Sequence, residues 1–201
     1  MKLLTIEQMA DKLTKLYLKC SPEESDCYEI IKYGNENIIS SVCNFAVVTL
    51  AGFVAGDAIG AWVFFLCFAI LRSWMGGYHA DTYFKCNFLI FMNAVMVVRT
   101  AALLNDKINV RIFIIIMGLA LLEILFFAPL MNENKKIRIY SKKRIKVYSV
   151  IVLSALGILA YVMYKIGLCR LSCCVLLSIF STCVAFLFEG FRKTIKQKMN
   201  I

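Results

Sequence analysis

The stretch IISSVCNFAVVTLAGFVAGDAIGAWVFFLCFAIL, from Ile38 to Leu71, decides the fold. As a single helix it would cover about 51 Å against a hydrocarbon core of about 30 Å, too long for one span. Gly52, Gly56, Asp57 and Gly60 gather at its middle, where glycine frees the backbone and a carboxylate is costly to bury in lipid. The stretch therefore reads as a tight hairpin of two short spans turning near Asp57. The second span has about 14 residues from the turn to Leu71, short enough to be a re-entrant segment instead.

Four more apolar stretches lie beyond it: Phe88 to Leu104, Ile112 to Leu130, Val147 to Tyr164 and Leu171 to Phe188. The reading is an all-α polytopic membrane protein with six transmembrane helices. Composition agrees, since 61% of the 201 residues are hydrophobic, 18% are charged and mean hydropathy is +0.74. A soluble chain has about 45–50% apolar and about 25% charged residues, so a water-soluble globule is excluded.

The net charge is +10, and its first use in such a chain is orientation and contact with anionic headgroups, not nucleic acid. With the N-terminus in the cytoplasm and six spans, eighteen Lys and Arg fall on the cytoplasmic side. Lys107, Arg111, Lys165 and Arg170 fall outside, and Arg99 lies within a span. This asymmetry predicts cytoplasmic N- and C-termini. The basic run Lys135 to Lys146 is a topology anchor, and attraction of an acidic peptide or lipid is a secondary role for it. The start, Met1 to Glu7, lacks the apolar core and small-residue cleavage site of a signal peptide. Nine cysteines without finger-like spacing, several of them inside apolar runs, predict no disulfide framework.

Before the first span, Ile6, Met9, Leu13 and Leu16 recur at helical spacing, and Thr5 with Gln8 fits a capping box. This predicts an N-terminal amphipathic helix lying on the cytoplasmic leaflet with its lysines at anionic lipid headgroups, or else packed on the protein's own loops. No internal repeat and no separate soluble domain is evident. The chain divides into an interfacial segment 1–37, a transmembrane core 38–188 and a cytoplasmic tail 189–201.

Chemistry concentrates at Arg72-Ser-Trp-Met-Gly76-Gly77-Tyr-His79-Ala-Asp-Thr-Tyr-Phe-Lys-Cys86, which contains the only histidine of the chain. A cysteine nucleophile needs a base to form the thiolate and a donor for the leaving amine, and one imidazole serves both steps. On a straight helix, positions i and i+7 are about 10.5 Å apart, so His79 reaches Cys86 only across irregular backbone. Gly76-Gly77 supplies such a break, letting His79 sit on a loop folded over a helix bearing Cys86. Arg72, Lys85 and a helix N-terminus would favour the thiolate electrostatically. The plainer reading is polar surface beside a buried thiol. A single histidine excludes the H-E-x-x-H zinc protease, and no nucleotide-binding loop is present. Asp57 and Asp81 fall on opposite sides of the membrane, which argues against an aspartyl dyad. No metal or cofactor is expected. Within the spans, Arg99 and Glu123 stand on adjacent helices, where they would pair or contact a substrate.

Arg72, Gly76-Gly77-Tyr78-His79-Ala80 and Cys86 in a small polytopic chain with basic loops resemble the AgrB family, the accessory gene regulator B proteins of Gram-positive bacteria. The likeness extends to Ala128-Pro129 followed by the Asn- and Lys-rich loop Asn132 to Lys136. It departs at Ile137, where a second proline would be expected. The resemblance implies a cysteine endopeptidase of the bacterial cell membrane that processes an AgrD-like precursor for quorum sensing. Cys86 would be its nucleophile and His79 its general base and acid, with segment 72–87 as the catalytic loop. Arg72 would orient the site, bind a substrate carboxylate or hold a lipid phosphate, and Gly76 and Gly77 would shape the loop. The resemblance also implies a thioester intermediate resolved by thiolactone or lactone closure, a homodimer, and a part in product export. The competing reading is a non-enzymatic transporter or channel-like protein that uses Arg99, Glu123 and Asp57.

Overall fold

The computed structural model describes residues 5–20, 27–75, 83–105, 109–127 and 142–199. Over these residues the chain forms seven α-helices: α1 Ile6–Cys20, α2 Tyr28–Ala55, α3 Ala58–Met75, α4 Tyr83–Leu104, α5 Val110–Phe127, α6 Lys142–Lys165 and α7 Cys169–Met199. Four segments are long and apolar enough to cross a membrane: Tyr28–Ala55, Tyr83–Leu104, Lys143–Lys165 and Cys169–Phe188. Within α3, Ala58–Trp74 is a shorter apolar helix. Phe53, Phe84 and Leu103 are each more than 70% exposed, a surface that only lipid tolerates at this density. The protein is an all-helical membrane protein.

Two compact units make up the chain, Met1–Val47 with Ala80–Ile90, and Val48–His79 with Phe91–Ile201. The second is organised around the α2–α3 turn and α7. The turn falls at Asp57, as expected. Gly56 takes φ +79°, and the Asp57 N–H donates to the Gly52 carbonyl at 2.9 Å, closing α2 by a left-handed cap. Asp57 then caps α3, its Oδ1 accepting the Gly60 N–H at 2.9 Å. Its Oδ2 lies 2.9 Å from Arg170 Nε at the start of α7. A Cβ at Gly52 would stand 2.7 Å from the Ala58 Cα, so this glycine is what lets the two helices meet so closely.

Of the Cys169–Phe188 segment of α7, 56% is buried against 22–28% of the other candidate spans, which makes α7 the centre of this unit. Ser172, Cys173, Cys174, Ser178, Thr182 and Cys183 are all buried along it, small residues that allow neighbouring backbones to approach in a membrane. Their hydroxyls are used internally, Ser172 Oγ donating to the Ala160 carbonyl of α6 at 2.7 Å and Thr182 Oγ1 to the Ser178 carbonyl at 2.8 Å. Phe186, Ile179, Leu176, Ile124, Leu153 and Leu71 pack around this stripe. A second cluster joins Ala51 and Phe64 to Phe68, Ala94 and Val97.

In the first unit α1 begins with the expected capping box. The Thr5 N–H donates to Gln8 Oε1 at 3.2 Å, and the Gln8 N–H to Thr5 Oγ1 at 3.4 Å. The helix then docks on α2 through a polar face. Asn35 Nδ2 donates to Thr14 Oγ1 at 3.0 Å, and the Tyr28 hydroxyl donates to Asp11 Oδ1. Ala10 and Thr14 are buried, while Met9, Leu13, Leu16 and Tyr17 stay exposed. One face of α1 thus packs on the protein, as one of the two expected placements had it, and Met9, Leu13 and Leu16 are exposed.

Two outcomes follow. Gly52→Ala should destabilise the protein by roughly 1–3 kcal/mol through overpacking at the turn. Gly118→Ala, where a Cβ meets nothing within 4 Å, should gain up to about 1 kcal/mol of helix propensity; thermal unfolding in detergent reads both. Second, Lys15, 2.7 Å away, holds the Asp11 carboxyl below its usual value, Tyr28 adding to the effect, and Asp11 in turn holds Lys15 above its own. The Asp11 contribution is complete above the ordinary carboxylate value of about 4 and is lost as pH falls through the lowered one. That of Lys15 is complete below about 10.4 and is lost as pH rises through the raised value. Because both groups lie on α1, a spin-label distance along that helix should therefore stay constant from about pH 5 to about pH 9 and change only in stronger acid or base.

Candidate functional site

Cys86 lies in the first turn of α4, three residues after Tyr83 opens that helix. It is a half-buried free thiol. The first turn of a helix presents unpaired N–H groups and the positive end of the macrodipole, surroundings that favour an anion. Ahead of it, the Tyr83 hydroxyl donates to Glu36 Oε2 on α2 at 3.2 Å. Glu36, Ser40, Cys43 and Asn44 recur on one face of α2 and are all half-buried. On α4, Tyr83, Cys86 and Asn87 share a face with buried Ile90.

Arg72 lies near the end of α3, half-buried, with its guanidinium 5.8 Å from the centre of the Phe68 ring one turn back. It belongs to the second compact unit and Cys86 to the first. His79, Gly76 and Gly77 lie outside the described residues, as do the Ala128-Pro129 loop and the run that follows it as far as residue 141. Among the described residues, no group of three or more His, Cys, Asp and Glu stands where it could hold a metal ion.

Arg99 does not meet Glu123. Its Nη2 donates to the Val54 carbonyl at 3.0 Å. Val54 sits in the last turn of α2, where carbonyls lack intrahelical partners and a cation is favoured. Glu123 lies against Cys183, and its Oε2 is shielded from solvent without a hydrogen bond from the described residues. Asp57 is committed to its cap and to Arg170, which leaves it a structural role.

Sequence reasoning missed the polar face of α2. It began the first span at Ile38, whereas the helix starts ten residues earlier at Tyr28. The signal was present in the spacing of Glu36, Ser40 and Asn44, polar positions four apart that run from ahead of the apolar stretch into its first turns.

Residues 6–188 match the model of the family described as Accessory gene regulator B. The chain is 28% identical over 145 residues to AgrB-like protein 2 of Clostridium perfringens (strain 13 / Type A), covering 68% of each chain. An AgrB-like protein of Clostridium perfringens (strain SM101 / Type A) shows the same identity and coverage. One from Clostridium beijerinckii is 29% identical over 154 residues, covering 75% of this chain and 72% of its own. No solved structure matches the chain.

Proposed function

The chain belongs to the accessory gene regulator B family, whose membership implies a role in processing the peptide precursor of agr-type quorum sensing, and on that premise we propose that it is a membrane cysteine endopeptidase. The observation that carries this reading is the half-buried Cys86 in the first turn of α4. The substrate is an AgrD-like precursor.

Cys86 attacks the carbonyl carbon at the precursor's cleavage site as a thiolate, its proton taken by His79. The C–N bond breaks, His79 returns the proton to the departing amine, and the N-terminal part stays on Cys86 as a thioester. A cysteine thiol or serine hydroxyl within the held peptide then attacks the same carbonyl and gives its proton to His79. The C–S bond breaks, the ring closes as a thiolactone or lactone, and Cys86 leaves with the proton. Exchange of one thioester for another is nearly balanced, so this step depends on positioning and on exclusion of water. Gly76 and Gly77 shape the loop carrying His79, and Arg72 orients the site or binds a substrate carboxylate.

Six spans, cytoplasmic termini and a homodimer complete the proposal, the whole chain forming one membrane domain. The charge asymmetry between alternate loops supports that topology. The exposed Met9, Leu13 and Leu16 of α1, flanked by the exposed Lys12 and Lys19, support contact with anionic headgroups of the cytoplasmic leaflet.

The test co-expresses the chain with a panel of tagged AgrD-like precursors, each with an amphipathic leader, a central Cys or Ser and an acidic tail. Mass spectrometry of the membranes should find a released C-terminal fragment with the wild type and at least about 100-fold less with Cys86→Ala or His79→Ala at matched protein levels. Cleavage by Cys86→Ala at the wild-type rate would end the assignment and favour the transporter reading.

A further inference from the structure

Two side chains in the unit that carries Cys86 are left with a chemical demand. Asn44 Oδ1 on α2 and Asn87 Oδ1 on α4 are shielded from solvent, and neither accepts a hydrogen bond from the described residues. A shielded amide oxygen without a donor is costly, and more so in a membrane, where water does not substitute. Native proteins keep few such groups, and those they keep call for an explanation.

Their setting supplies one. Asn44 stands on α2 two turns beyond Glu36, and Asn87 stands on α4 one turn beyond Tyr83, next in sequence to Cys86. The hydrogen bond from Tyr83 to Glu36 ties α2 to α4 on the helix faces that carry these groups, the α2–α4 seam. The seam presents acceptors: the two amide oxygens and the Glu36 carboxylate. Anionic and acceptor-rich ligands are disfavoured there, and a row of N–H donors is what it fits.

We infer that the α2–α4 seam is a subsite for the backbone of the precursor peptide, Asn87 and Asn44 each accepting one of its N–H groups near the scissile bond. This inference rests on the peptidase reading proposed above. An extended peptide offers N–H donors at regular intervals whatever its side chains, so such acceptors fix the direction and depth of the chain. In an apolar span, hydrogen bonds to the substrate backbone replace those that water gave it outside. Asn44 and Asn87 are thus binding residues, while Tyr83 and Glu36 are positioning residues that hold the seam together.

The experiment compares wild type with Asn44→Leu and Asn87→Leu in detergent-solubilised full-length protein, using the tagged precursor that the wild type cleaves. Leucine keeps the bulk and removes the acceptor. Because the acceptor has no partner among the described residues, thermal stability should be unchanged or raised. KM for the precursor should rise about three- to tenfold for each variant, with kcat held within about twofold. A fall in melting temperature with unchanged KM would mean that the amides serve the chain's own packing, and unchanged values of both would equally overturn the subsite. Cys86→Ala run alongside separates the two proposals: cleavage that survives it removes the peptidase reading itself, whatever the asparagine variants do. If a leucine variant does not accumulate, a photocrosslinking residue at Ser40 in the Cys86→Ala chain decides. An adduct with the precursor is expected, and adducts confined to lipid overturn the inference.

Discussion

A carboxylate within an apolar chain persists only where its oxygens are used, and both oxygens of Asp57 are, while its backbone also opens the next helix. Its Oδ1 takes the Gly60 N–H, its Oδ2 the Arg170 guanidinium, and its main-chain carbonyl the Ala61 N–H at 3.2 Å. One residue thereby ends the turn after α2, starts α3 and ties both to the head of α7. The glycines around it follow from the same constraint. A Cβ at Gly60 would lie 2.5 Å from Asp57 Oδ2 and 3.2 Å from Cys174 Sγ, so a side chain there would displace the cap or the contact with α7.

With the turn fixed, α7 is held at the centre, and its composition answers a problem particular to membranes. Lipid is as apolar as leucine, so helices gain little from hiding leucine from it and must gain from fit. The buried serines, threonine and cysteines of α7 provide that fit, their hydroxyls returned to carbonyls of α7 itself or of α6. Asn93 Nδ2 on α4 donates to Ser181 Oγ, a further tie between helices. Other large side chains, such as Phe53, Leu103 and Phe188, stay exposed.

The hairpin and the N-terminal capping box were legible because they are local. Glycines clustered around one aspartate, and Thr5 three residues before Gln8, carry their geometry in their spacing. Cys86 on a helix was legible for the same reason, as the step from Gly76-Gly77 to an apolar run. What escaped was set by partners distant in sequence. Nothing near Arg99 announces that a helix end will offer it the Val54 carbonyl in place of Glu123. The apolar stretch opens at Ile38, ten residues after α2 begins, because Asn35 and Glu36 are polar and fall in the interfacial segment. They are held in the helix by Thr14 of α1 and Tyr83 of α4, 21 and 47 residues away along the chain.

Those same two bonds bear on the proposed chemistry. A thioester held on a cysteine has two fates, attack by a group of the bound peptide or attack by water, and only the first closes a ring. Positioning raises the first and exclusion of water lowers the second. A nucleophile far out in solution would lose the acyl group to hydrolysis, and one at mid-bilayer would be out of reach of a polar peptide. The first turn of a membrane helix, half-buried, lies between these limits. Extending α2 ahead of the apolar run lets Glu36 take the Tyr83 hydroxyl at that turn, so the polar extension of α2 and the proposed use of Cys86 as nucleophile belong to one arrangement.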